Sequence, residues 1–185
     1  MGNNRKIIWF WLGSLLILLS GCSYHQNYVQ RQEVHAKARY VAVLPLVNHS
    51  AHANAGRIVG DLLTTELYAL SDFKIMERTG MLQQLIDKDD GLDIILDRTA
   101  ALEAGKRLGV YTVIFGSVTE YRYKRGLDED PVVGINLRML DVKTDTILWA
   151  GSKSDAGGCF WFCEDSLSRL SQDVCHDLVA AMLVP

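Results

Sequence analysis

The sequence contains none of the short motifs that carry the best-known chemistries. There is no Gly-x-Ser-x-Gly elbow, no His-Glu-x-x-His pair, no Walker-type glycine loop and no dinucleotide fingerprint. Scattered carboxylates do not declare a glycosidase pair either, so an enzyme has no residue-level support and no cofactor is expected. Internal repeats, low-complexity tracts and polybasic runs are missing as well. Past residue 20 no apolar stretch approaches the roughly 20 residues that a membrane-crossing helix needs. The full chain balances 19 Lys and Arg against 22 Asp and Glu, which argues against nucleic acid as a partner. Cysteine is sparse, with four in 185 residues, and their positions matter more than their number.

What is present begins at the N-terminus, MGNNRKIIWFWLGSLLILLSGC. Arg5 and Lys6 precede a mostly apolar stretch from Ile7 to Ser20, too short to span a bilayer comfortably and fitting the h-region of a signal peptide. It runs into Leu19-Ser20-Gly21-Cys22, which resembles the lipobox of bacterial lipoproteins. That resemblance implies cleavage before Cys22 and acylation of its thiol. Ser23, not Asp, follows it, which implies sorting to the outer membrane. Several acyl chains on one cysteine anchor stably, where a single chain holds marginally. Removing residues 1–21 leaves 17 basic against 22 acidic residues, a net charge of about −5 that suits a cationic partner. The expected organisation is a signal peptide over 1–21, a lipidated N-terminus and polar tether over 22–38, and one domain over 39–185.

Within the domain the apolar period changes twice. Residues 39–46 read as a short strand halted by Pro45. From Asn54, the residues Ile58, Val59, Leu62, Leu63, Leu67 and Leu70 recur at helical spacing. A brief strand at 73–76 precedes a helix for which Thr79 is the expected N-cap, and a further helix over about 98–108 ends at Gly109. Strands follow over 110–124, 132–142 and 146–152, the last two joined by a hairpin turn at 143–145. Asp165 is expected to open a final helix carrying Leu167, Leu170, Val174, Leu178 and Met182 inward. The class is α/β of the α+β kind: a central mixed sheet with an antiparallel C-terminal meander, flanked by helices.

Two segments carry candidate chemistry. In GGCFWFCEDS, residues 157–166, Cys159 and Cys163 bracket Phe160, Trp161 and Phe162. On one helix Cys163 and Cys175 would lie roughly 18 Å apart along the axis, beyond the roughly 7 Å a disulfide tolerates. Cys159–Cys163 is therefore the favoured bridge in an oxidising periplasm, and Cys175 reads as a small buried hydrophobe. Neither zinc nor redox spacing is met. The three aromatics have two readings, packing in the core or insertion at a membrane interface. Trp149 has the same two, with core favoured. Asp128, Glu129 and Asp130 form an acidic turn, either a solvated loop or, repeated around an assembly, an attractor for a polycation. Asp87, Asp89, Asp90 and Asp93 share that ambiguity. His49 and His52 lack a third ligand nearby and read as a polar loop.

Four segments, YVAVLPLVN, FKIMERTGMLQQLI, LGVYTVIFGSVTEY and INLRMLDVKTDTILWAGS, together resemble the CsgG-like family of bacterial outer-membrane lipoproteins. They cover most of residues 40–152. The family includes a curli secretion pore, activators of peptidoglycan synthases and a branch that serves export of the Pel exopolysaccharide. A membrane pore would need paired strands of about 9–11 alternating residues, and the short acidic turn RGLDEDP offers no such insertion. The compact length resembles the Pel-export branch. That resemblance implies a homo-oligomeric ring under the outer membrane with an acidic face toward the periplasm, guiding a cationic polysaccharide to a partner porin. The alternative is a lipoprotein activator of a peptidoglycan synthase, which would need a long tether to reach the wall.

Overall fold

The computed structural model describes residues 24–29, 39–86, 97–124, 130–157 and 166–184. In chain order the elements are β1 (Tyr24–Val29), β2 (Tyr40–Val43), β3 (Val47–Asn48), α1 (Ala55–Leu70), β4 (Lys74–Ile75), α2 (Arg78–Ile86), α3 (Arg98–Leu108), β5 (Thr112–Tyr123), β6 (Pro131–Asp141), β7 (Thr146–Ala156) and α4 (Leu167–Leu183). All strands join one mixed sheet in the order β1-β7-β6-β5-β2-β4, with β3 also on β5. β5, β6 and β7 form the expected antiparallel meander, whereas β2, β3 and β4 run parallel to β5 through helical crossovers.

Helices cover the two faces unequally. On one face α1 and α4 lie over Ile114, Val118, Ile135, Leu137, Met139, Leu148 and Trp149. The spacing read from the sequence is realised there: Val59, Leu63, Leu67, Val174 and Leu178 are fully buried. Leu70, at the end of α1, is exposed instead. On the other face α2 and α3 pack on Val113, Phe115, Leu140 and Val142. Gly105 of α3 sits so close to the sheet that an added Cβ would lie 2.5 Å from Val142 Cγ2.

Local chemistry sets the helix ends. Asp97 accepts from Ala100 N at 2.8 Å to start α3, and Gly109 ends it at φ 65°, a conformation glycine adopts without steric cost. Two expected starts shift. α2 begins at Arg78, before Thr79, and Glu77 Oε2 accepts from Gly80 N at 3.0 Å. Those backbone amide bonds, to Thr79 and Gly80, hold the Glu77 carboxyl below its ordinary range. The cap of α4 is Ser166, accepting from Arg169 N, while Asp165 lies outside the described residues.

Residues 24–29, expected within the tether, form β1 antiparallel to β7, from Tyr24↔Ser154 to Val29↔Trp149. Strand pairing draws on a distant edge and not on local periodicity, which the segment lacks. In β5 the register shifts between Val118 and Glu120, a bulge at Thr119. The extra residue returns Tyr121 to the α1/α4 face beside Val118.

Candidate functional site

The meander and β1 bring several chain segments to one end of the sheet. β5 ends there at Tyr123, opposite Pro131, and Lys124 N donates to Asp130 O at 2.7 Å. β7 ends there at Ala156, opposite Val132, and Gly157 N donates to Pro131 O at 2.8 Å. α4 starts there too, with Leu167 N donating to Tyr123 Oη at 3.3 Å. β1 begins beside Ser154 at the same end, two residues after Cys22. Half-buried Asp130 therefore lies at the end of the sheet where β1 begins. So do the flanks of segments 125–129 and 158–165. Cys22, Asp128, Glu129, Cys159, Phe160, Trp161, Phe162 and Cys163 themselves lie outside the described residues, as do Asp87, Asp89, Asp90 and Asp93. Asp97, which follows that second acidic cluster, lies at the opposite end: its neighbour Arg98 binds Asp145 of the β6–β7 turn at 2.9 Å.

The second feature is a groove of about 700 Å³ on the half of the sheet that α2 and α3 leave uncovered. Strand register aligns Gln26, Ser152, Asn136 and Ser117 in one rung across β1, β7, β6 and β5. Ser152 Oγ bonds Asn136 Oδ1 within it. The rung below carries Ala150, Arg138 and Phe115, with the guanidinium 6.0 Å from the phenyl ring. The sequence reading missed this surface. Its signal was the period-two recurrence of Asn136 and Arg138 along β6, which marks a water-facing row but says nothing of concavity.

Beneath the other face a polar clamp joins α1 to α4. Glu66 is buried and accepts from Gln172 Nε2 at 3.2 Å, with His176 Nδ1 at 3.0 Å. Lys153, also buried, reaches Asp177 and Asp155. Cys175 is a free, fully buried thiol, as expected, with its Sγ 4.0 Å from Val59 O. Burial, and then the charge of Glu66, push its pKa up to about 12. Trp149 is core, and its indole nitrogen has no hydrogen-bond partner among the described residues. His52 stacks tilted against Tyr121 with centroids 5.1 Å apart, while His49 lines the groove. Among the described residues no three His, Cys, Asp or Glu side chains gather as a metal site. No described helix is long and apolar enough to cross a membrane.

No protein-family profile matches the sequence, and no curated protein matches it. Solved structures do resemble the fold. The PelC dodecamer of Paraburkholderia phytofirmans aligns over 89% of this chain and 99% of its own, with TM-score 0.64 and 20% identity. The lipoprotein GNA1162 of Neisseria meningitidis aligns over 76% of this chain and 98% of its own, with TM-score 0.55 and 22% identity. LpoB of Escherichia coli aligns over 64% of this chain and 57% of its own, with TM-score 0.50 and 13% identity. The central mixed sheet with its flanking helices is thus of a known architecture: the chain has a PelC-like fold.

Proposed function

We propose that the chain is a non-enzymatic lipoprotein, anchored through Cys22 to the periplasmic face of the outer membrane, that forms a homo-oligomeric ring assisting export of a cationic, Pel-type exopolysaccharide through a partner porin. The observation that carries this reading is the near full-length likeness to PelC, a protein solved as a dodecamer. A shared fold does not by itself transfer a task, so chain-specific features must support it.

Three do. β1 begins two residues after Cys22, so only about 7 Å of chain separates a lipid from the sheet. That closeness suits a membrane-hugging role and weighs against an activator that must reach the wall. The flanks of the Cys159–Cys163 segment lie at the anchor end, so Phe160, Trp161 and Phe162 would meet the membrane interface, many weak contacts adding around a ring. In this reading Asp130, at the end of the sheet where β1 begins, and its chain neighbours Asp128 and Glu129 would draw the polycation toward the porin. An acidic face toward the periplasm would have to come instead from Asp87, Asp89, Asp90 and Asp93, which precede Asp97 in the chain.

Light scattering on the full chain extracted in detergent tests the reading. The expected result is a closed oligomer of many copies whose mass does not change on dilution, and which binds partly deacetylated N-acetylglucosamine oligomers more weakly as salt rises. A strict monomer at all concentrations would overturn the ring and favour the alternative, an activator of a peptidoglycan synthase.

A further inference from the structure

The groove on the uncovered half of the sheet is concave, polar and of ligand size: about 700 Å³, within the roughly 300–1,000 Å³ of small-molecule sites. Its centre is the rung of Gln26, Ser152, Asn136 and Ser117. Each of β5, β6 and β7 has a strand on both sides, so the ladder engages the main chain there and the groove offers side chains. Adjacent strands lie about 4.8 Å apart, which spaces four hydrogen-bonding groups along a line of about 14 Å. Ser152 Oγ donates to Asn136 Oδ1, and this leaves the Asn136 Nδ2 hydrogens to donate elsewhere. The side chains of Gln26 and Ser117 make no hydrogen bond among the described residues, and neither does His49, which also lines the groove.

Electrostatics select among polar ligands. Among the described residues no carboxylate lines the groove, and Arg138 supplies one exposed guanidinium, 6.0 Å from the Phe115 ring and without an ion pair. A cationic group is disfavoured beside it. A polyanion is disfavoured by the chain as a whole, since residues 22–185 carry 17 basic against 22 acidic side chains. An extended peptide would bond through its main chain to a free strand edge, and β5 to β7 offer none here. What fits is an uncharged ligand whose every unit both donates and accepts, the chemistry of a neutral sugar chain. We infer that the groove is a subsite for an uncharged, N-acetylated glycan segment, bonded by Asn136, Ser117 and Gln26 with Arg138 as a further donor. This rests on the export reading and adds a second mode of contact: acidic loops draw charged units of the polymer, and the groove holds neutral ones.

Ligand-observed NMR on the full chain in a sugar-free detergent tests it with three tetramers: neutral N-acetylglucosamine, cationic glucosamine and anionic galacturonate. The neutral tetramer should bind wild type with an affinity that salt leaves unchanged. It should bind Asn136→Ala with Ser152→Ala at least about tenfold more weakly. The cationic tetramer should bind more weakly as salt rises and should not sense that variant. Arg138→Glu, a change at an exposed position, provides a second route should the double variant fail to fold. It should weaken the neutral tetramer and admit the cationic one, and unchanged binding of both would overturn the inference. So would no binding of the neutral tetramer to wild type, equal binding to the double variant, or preference for galacturonate. In any of these cases a closed oligomer that still binds the cationic tetramer leaves the ring reading standing. A monomer that binds the neutral tetramer through Asn136 keeps the subsite and removes the ring.

Discussion

The two faces of one sheet have been finished in different ways. The α1/α4 face packs an apolar core, and its buried polar groups Glu66 and Lys153 are met by exposed Gln172, His176 and Asp177 of α4. The α2/α3 face is covered over Phe115 and Leu140 but gives way to a rung of Ser, Asn and Gln side chains. A half-covered face costs a protein part of its possible core, since each buried aliphatic side chain contributes about 1.5–3 kcal/mol. The difference teaches that stability is concentrated on one side, leaving the other free for contacts.

The largest effect should come from the covered side. Trp149→Ala removes a fully buried indole and should destabilise by about 3–5 kcal/mol in urea unfolding. Trp149→Phe should cost much less, because the indole nitrogen has no described partner to lose. His176→Ala leaves buried Glu66 with Gln172 as its remaining described partner and should cost about 1–2 kcal/mol. On the grooved side, Asn136→Ala with Ser152→Ala should change unfolding by under about 0.5 kcal/mol. A loss there as large as that from Trp149→Ala would break the comparison.

Sequence periodicity exposed the covered side well. The helical recurrence in α1 and α4 named Val59, Leu63, Leu67, Leu170, Val174, Leu178 and Met182, which are buried, together with Leu70, which is exposed, and the alternation in β5 to β7 gave the meander. What escaped was non-local. The six residues of β1 lack a pattern of their own and depend on the edge of β7, and the groove exists because helices stop short above it. The cap at Glu77 escaped for a smaller reason: Thr79 is a good capping residue placed two positions inside the helix that Glu77 starts.

Two pH effects sharpen the comparison further. Cys175 has a thiol pKa raised from 9.0 to about 12, so the folded state keeps its proton after the unfolded chain has lost it. Its contribution is complete below about pH 9 and is lost as pH rises toward about 12, and Cys175→Ala should flatten that alkaline decline in thermal melts. The thiol should also resist alkylation at pH 8 until the chain unfolds. The smallest effect is at Glu77. Its lowered pKa favours the folded state above the ordinary carboxylate range and stops doing so as pH falls through the lowered value, so Glu77→Gln should slightly reduce acid sensitivity.

The bulge at Thr119 divides β5 into two phases, much as an inserted letter shifts a reading frame. Below it the side-chain alternation is locked by two helical layers. Above it Tyr121, Arg122 and Tyr123 follow an alternation of their own. A deletion of one residue above the bulge could be absorbed by losing Thr119 itself, whereas the same deletion near Ile114 would invert every side chain that the helices grip. The end of the sheet where β1 begins is therefore the part of β5 that can take up a change of one residue at Thr119 with Tyr121 still turned to the core.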